Sequence, residues 1–384
     1  MAFRLKVKAP LVALTLLVLC SFVGIKEAAV QGEERVKPIA PPPVPLPSEE
    51  QSRGVTRFSF ILYGDTRGRQ DGVALQGQHS LVVDGILGQI KKLQNTDYPV
   101  RFVLQTGDAV AHGQDAHAWN VSFVPIVDRL TQRGGVPYFM IPGNHDVSNA
   151  KTVDAPQRQE GLRNLLDAVR AQIPAEGSPR RLAGYATYSF GYGNTFVIGF
   201  DSIIANDDKQ YLWIKGQLEG LDRQRYVNVF VFCHHPPFSS GPHSVHPDES
   251  ILALRTRYMP LFHAYHVRAV FSGHEHLFEH WVEHYADASG AHRMDFLVSG
   301  GGGAPLYAYQ GEPNLADYLA ANRGIKAQLQ HLVRPGAEGA LSPHHFVVFH
   351  VDGEKVNLEV VSVDGDSGFH PYPGMEAPLQ DSSN

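Results

Sequence analysis

The chain has 384 residues, 43% of them hydrophobic and 19% charged, which suits a globular protein with a sizeable core and excludes a disordered tail or a fibre. Its 33 Lys and Arg against 39 Asp and Glu leave a formal net charge of -6, so no broad cationic surface for nucleic acid is expected. Histidine is abundant at 20 residues, and neutral imidazole both ligates transition metals and moves protons near neutral pH.

Arg4, Lys6 and Lys8 precede an uncharged run over residues 9–25 that Lys26 closes, the pattern of an export signal within residues 1–30. Glu27 makes cleavage near Ala28-Ala29 a weak match. An uncleaved anchor fits the same residues, although this run, with Pro10 in it, is at the short limit for a bilayer span. Both readings export the chain, to a periplasm or to the medium, and membrane contact is expected only from the uncleaved form. Of the two cysteines, Cys20 lies in this segment, so a mature chain keeps Cys233 alone and has no intrachain disulfide. Residues 31–55 contain Lys-Pro-Ile-Ala-Pro-Pro-Pro-Val-Pro-Leu-Pro, which favours polyproline conformation and reads as a linker. A domain over 56–366 and a tail over 367–384 follow. Asn120-Val121-Ser122 also fits a glycosylation sequon.

Within the domain one grammar repeats: a short apolar run ends at Gly or Pro, and a polar residue able to ligate follows at once. Phe58-Ser59-Phe60-Ile61-Leu62-Tyr63 leads to Gly64-Asp65, and residues 100–105 lead to Gly107-Asp108. Residues 137–141 lead to Pro142-Gly143-Asn144-His145-Asp146, residues 227–232 to His234-His235-Pro236-Pro237, and residues 267–271 to Gly273-His274-Glu275-His276. Between them, residues 81–93, 123–130 and 161–173 carry apolar spacing for one buried helix face. Strands alternating with helices predict an α/β domain whose site lies at the strands' carboxyl ends. Past Gly300 a glycine run allows close backbone approach, residues 304–339 read as an irregular, partly helical insertion, and residues 345–350 and 355–363 as a hairpin.

Divalent metals of borderline hardness take carboxylate, amide-oxygen and imidazole ligands, and two of them about 3.5–4 Å apart can share and activate a water. Asp65, Asp108, Asn144, His234, His274 and His276 supply such a set, each at a strand end. In that order the motifs resemble the calcineurin-like metallophosphoesterases, a superfamily that includes purple acid phosphatases and sphingomyelinase-like phosphodiesterases. The pattern is Asp-x-His, Gly-Asp, Gly-Asn-His-Asp/Glu, a His after a strand, and Gly-His-x-His, and four of the five elements are intact. The resemblance implies a four-layer αββα sandwich of two mixed sheets flanked by helices, with the glycine run near the site. It implies a dinuclear centre of manganese, zinc or iron in which Asp108 bridges, Asp65 and His276 hold the first ion, and Asn144, His234 and His274 hold the second. It also implies that His145 acts on the substrate as general acid or phosphate donor, with Asp146 fixing its tautomer.

The departure is in the first motif, where Asp65-Thr66-Arg67 stands for Asp-x-His. A guanidinium has no lone pair to offer a metal and stays protonated. Arg67, or nearby Arg69, is then expected either to clamp a substrate phosphate oxygen or to pair with a carboxylate on the surface. Purple acid phosphatases carry a tyrosine three residues after the bridging aspartate; here Ala111 stands there, and no purple ferric centre is expected. The expected function is hydrolysis of small-molecule phosphate esters, monoesters foremost, by in-line attack of a metal-activated water. The alternatives are a phosphodiesterase for nucleotides or phospholipid head groups, and a metal-binding recognition module on the same fold. His235 reads as structural, Glu275 points away from the ligands flanking it, and His112, His117, His243 and His246 are candidates for the cleft wall. Trp119, Trp213 and Tyr211 read as core.

Overall fold

The computed structural model describes residues 34–68, 75–243, 247–335, 341–364 and 368–371; the segment expected to be an export signal, Arg69 and His246 lie outside these. Its strands are β1 (Arg57–Tyr63), β2 (Val100–Gln105), β3 (Tyr138–Met140), β4 (Tyr188–Tyr192), β5 (Thr195–Gly199), β6 (Asn228–Phe232), β7 (Ala269–Ser272), β8 (Phe278–Asp287), β9 (Gly290–Ser299), β10 (Gln328–Val333), β11 (His344–Asp352), β12 (Lys355–Asp364) and β13 (Gly368–Pro371). They form two mixed sheets, ordered β13-β12-β11-β1-β2-β3 and β10-β8-β9-β7-β6-β5-β4. In the first sheet β1, β2 and β3 run parallel, and β11 returns antiparallel beside β1. In the second, β5, β6, β7 and β9 run parallel.

Strands β1, β2, β3, β5, β6 and β7 are largely apolar runs because both of their faces are covered. Phe60 stacks on Phe102 and Phe349 in its own sheet, at 5.2 and 4.6 Å, and meets Phe230 of the second sheet at 5.5 Å. On the outer side of the first sheet, helices Gly77–Leu93, Val124–Gln132 and Pro156–Val169 contribute Ile86, Val127 and Leu165 to the same core. Asp208–Glu219 and Met259–Ala264 cover the second sheet, with Ile214, Leu218 and Phe262 packed among Phe196, Val229 and Val231. The result is the expected αββα sandwich. Each fully buried side chain of this size contributes about 1.5–3 kcal/mol of hydrophobic stabilisation.

Several segments differ from the sequence expectation. The Pro-rich stretch is a strap on the domain rather than a free linker, since Val36 and Ile39 are buried. Polyproline backbone makes no bonds within itself, which leaves its groups for neighbours: Lys37 N–H donates to Asn120 Oδ1 at 2.7 Å and Ile39 N–H to Ala168 O at 2.8 Å. The Asn120 amide, which also donates to Arg35 O at 2.9 Å, is buried in this contact and presents no sequon to solvent. Glu49 is fixed by two bonds from Arg180 at 2.7 and 2.8 Å. Residues 304–339 contain, besides helix Ala316–Ala321, the edge strand β10, and β13 extends the first sheet into the expected tail. Among the described residues no helix is long and apolar enough to cross a membrane.

Candidate metal centre

At the carboxyl ends of β1, β2 and β7 the chain turns through left-handed backbone, with φ of 58° at Asp65, 57° at Asp108 and 69° at His274. Non-glycine residues held there cost of order 1–3 kcal/mol, so strain is concentrated where side chains must be aimed into one crevice. The glycine before each makes the approach possible. A Cβ on Gly273 would collide with the Asp65 carboxylate and the Thr106 hydroxyl, and one on Gly107, itself at φ 99°, with the backbone of Gly143. The repeated Gly-ligand grammar of the sequence is therefore a packing requirement.

Four donors from four loops converge. Asn144 Oδ1 lies 3.0 Å from His234 Nε2 and 3.1 Å from His274 Nδ1, and those two nitrogens are 3.1 Å apart. Asp108 Oδ1 is 3.5 Å from His234 Nε2. His234 Nδ1 donates to Thr106 O at 2.9 Å, which leaves its Nε2 lone pair facing the cluster. Burial, reinforced by the imidazoles of His235 and His234, holds His274 well below the ordinary histidine range, so its ring is neutral and able to ligate near pH 7. Lone pairs brought this close favour a cation among them, and the set of one carboxylate, one amide oxygen and two imidazoles fits a divalent transition metal.

The other side of Asp108 is different. His276 Nδ1 donates to Pro305 O at 2.6 Å, so its Nε2 is free, 3.5 Å from Asp65 Oδ1. Asp65 in turn accepts the His274 N–H at 3.0 and 3.1 Å. Burial, then the cation of Arg67, pushes His276 down to about 4. The surface reading of Arg67 is overturned: its side chain is 7% exposed, with Nε 3.4 Å from Asp108 Oδ2. Burial alone would raise the Asp108 carboxyl, but His234, His145 and Arg67 outweigh it and hold it below the ordinary range. Among the described residues this side thus offers Asp65, His276 and the shared Asp108 to a second ion, with the Arg67 guanidinium beside them.

His145 Nδ1 bonds Ala111 O at 3.0 Å, and its Nε2 lies 4.0 Å from Asp108 Oδ2 at the open side of the site. Asp146 does not set that ring. Neighbouring side chains on one helical turn, Asn144–Val147, point apart. Asp146 instead accepts backbone N–H groups from Asp108 and Gly143 at 2.8 and 2.9 Å on one oxygen, and from Ala109 and Val110 at 2.9 and 3.3 Å on the other. It is a brace for the Asp108 loop.

Residues 78–278, just over half of the chain, match the family model for calcineurin-like phosphoesterase. The chain belongs to that family. The matched stretch begins past Asp65-Thr66-Arg67 and takes in the four intact motifs. Among curated proteins it is similar to purple acid phosphatase 23 of Arabidopsis thaliana, 27% identical over 162 residues covering 42% of this chain and 32% of that protein. It is also similar to Fe(3+)-Zn(2+) purple acid phosphatase 12 of the same plant, 36% identical over 145 residues, 37% of this chain and 29% of that protein. The chain thus spans about a third of the length of the curated relatives it matches. Among solved structures, purple acid phosphatase PPD1 from yellow lupin seeds aligns with a TM-score of 0.59 at 17% identity, over 86% of this chain and 55% of that one. GAP50, the anchor in the inner membrane complex of Plasmodium, aligns with 0.52 at 15% identity, over 85% and 90%. At such identities these two likenesses concern the fold alone.

In this calcineurin-like phosphoesterase all six expected ligand residues meet at one end of the two sheets. The expected glycine run lies there too, with Gly302 N–H donating to Gly64 O at 2.8 Å. Glu275 does turn away from the flanking histidines, and its carboxylate accepts the His243 N–H at 2.9 Å. His243 and His235 bring their rings 4.5 and 4.4 Å from that of His274, and buried His235 is also bonded to Ser202 Oγ at 2.9 Å. Sequence reasoning missed Tyr307, which stacks on His276 at 4.1 Å, and the carbonyls of Thr106 and Pro305 that fix two imidazoles. A lone tyrosine in an irregular segment and backbone oxygens carry no motif. A second grouping, His266, Asp287 and His292, lies at the opposite, amino end of β7 and β9.

Proposed function

We propose that this chain is an exported, metal-dependent phosphoesterase that hydrolyses small phosphate esters, monoesters in preference to diesters. The observation that carries the reading is the convergence of Asn144 Oδ1, His234 Nε2 and His274 Nδ1 within 3.1 Å, beside Asp108 and open toward His145. A divalent ion bound there supplies Lewis acidity toward a phosphoryl oxygen and lowers the pKa of a coordinated water. The chain's own groups do the rest. Arg67 Nε, buried and ion-paired with Asp108, makes no hydrogen bond among the described residues, and a substrate phosphate oxygen gives it one. His145, when protonated at Nε2, donates to the transferred or leaving oxygen, and its bond to Ala111 O keeps that nitrogen turned to the cleft. Asp146 holds the loop that carries Asp108, and Tyr307 with His243 walls the opening. Monoester preference is supported by the buried cation at Arg67, which matches the greater charge of a monoester. Export rests on the basic and apolar pattern of residues 4–25.

A recognition module without turnover is the second reading; GAP50, an anchor in the inner membrane complex of Plasmodium, has a similar fold. Retention of His145 in the open cleft speaks against it. Hydrolysis of a generic aryl phosphate monoester and the matching diester by the metal-loaded full-length chain tests the proposal. Turnover on the monoester, lowered about 10²–10⁴-fold in His145→Ala with metal content unchanged, is expected. Full loading without turnover on either ester would transfer the chain to the recognition class.

A further inference from the structure

Resting on that reading, we propose that the centre holds one divalent ion, on Asp108, Asn144, His234 and His274, and that the Arg67 guanidinium stands in for the second. The division runs through one carboxylate. Asp108 Oδ1 faces the complete donor set, 3.5 Å from His234 Nε2, and accepts the His145 N–H at 2.9 Å. Asp108 Oδ2, the oxygen a second ion would take, faces Arg67 Nε at 3.4 Å. Among the described residues, Asp65, His276 and the shared Asp108 are the ligands on that side, against four donors on the other.

The guanidinium is part of this side of the site, not a bystander. It is buried, it bears electrostatically on Asp65, Asp108, His276 and Tyr307, and a guanidinium offers a metal no lone pair. A second divalent ion here would sit beside a permanent cation while lacking the imidazole that Arg67 replaces. The arginine already neutralises part of the Asp65 and Asp108 charge that such an ion would neutralise. Beyond its ion pair with Asp108 its buried Nε makes no hydrogen bond among the described residues, so an anion from outside the chain can complete its bonding.

The experiment is metal stoichiometry, by elemental mass spectrometry, of full-length wild type and Arg67→His after equilibration with excess Mn²⁺ and removal of free ion. It is read together with the low-temperature electron paramagnetic resonance spectrum of each. One ion per wild-type chain with an isolated, uncoupled Mn²⁺ signal is expected, and two exchange-coupled ions in Arg67→His. Two coupled ions in the wild type would overturn the inference and leave the phosphoesterase reading standing. No bound ion in the wild type would remove that reading itself, and the inference with it. One ion in both proteins would overturn Arg67 as the cause. Should Arg67→His fail to fold by circular dichroism, Arg67→Ala replaces it: gain of a weaker second ion supports the proposal, and an unchanged single ion refutes it.

Discussion

Asp146→Asn is nearly isosteric with the native side chain, so what it changes is bonding and not packing. In the native site each carboxylate oxygen accepts two backbone N–H groups, Asp108 and Gly143 on one, Ala109 and Val110 on the other. In the variant one of those positions becomes an NH₂ group that faces two donors, whichever way the amide is turned. Two charge-assisted bonds are lost, at about 1.5–3 kcal/mol each, for a total of about 3–6 kcal/mol. That is a large part of the roughly 5–15 kcal/mol by which a domain is stable. Because the loop carries Asp108 in left-handed backbone, its loosening must also weaken metal binding. Urea unfolding is expected to show a lower midpoint at unchanged slope, and calorimetric titration a metal affinity reduced by at least about tenfold. If Asp146 instead served to orient His145, the variant would lose turnover while stability and metal affinity stayed within about 1 kcal/mol of wild type. That result would refute the bracing role.

Gly273→Ala puts a methyl group where the Asp65 carboxylate and the Thr106 hydroxyl lie, and a loss of about 1–3 kcal/mol with reduced metal content is expected in the same two assays. Wild-type stability and full loading would show that the β7 loop has room to spare. Ile39→Ala, in the Pro-rich strap, should lower stability by about 2–4 kcal/mol, since Ile39 is fully buried; no change would mean that the strap does not stay docked in solution. Burial pushes the Glu279 carboxyl up to about 7 from an ordinary 4.5, against the bonds it accepts from Ser240. The folded state thus holds this proton to higher pH than the unfolded chain. Its contribution is fully present below about pH 4.5 and is lost as pH rises through about 7, a difference of up to about 3 kcal/mol. Glu279→Gln should therefore flatten the fall in stability expected of the wild type between about pH 4.5 and 7 in urea unfolding, and parallel profiles would exclude Glu279 as a source of it.

The sequence by itself determined the alternation of strands and helices and the end of the sheet at which ligands gather. Those features are local: an apolar run covered on both faces needs no partner to be recognised, and a strand that must turn into a crevice calls for glycine immediately before its ligand. Asp65, Asp108, Asn144, His234, His274 and His276 were legible for that reason, and so was the anomaly at Arg67. The hairpins β4–β5 and β8–β9, the strand β10 and the docked Pro-rich strap were not legible, because their stability lies in pairing with segments far along the chain. Only the tertiary structure decided that Asp146 holds the Asp108 loop and not His145, since the bonds of a buried carboxylate depend on which backbone donors the fold brings to it. Only the tertiary structure, likewise, turned Asp108 Oδ2 toward Arg67. Sequence names the charges that enter a site, but which oxygen each cation faces is fixed by how two sheets pack their loops together.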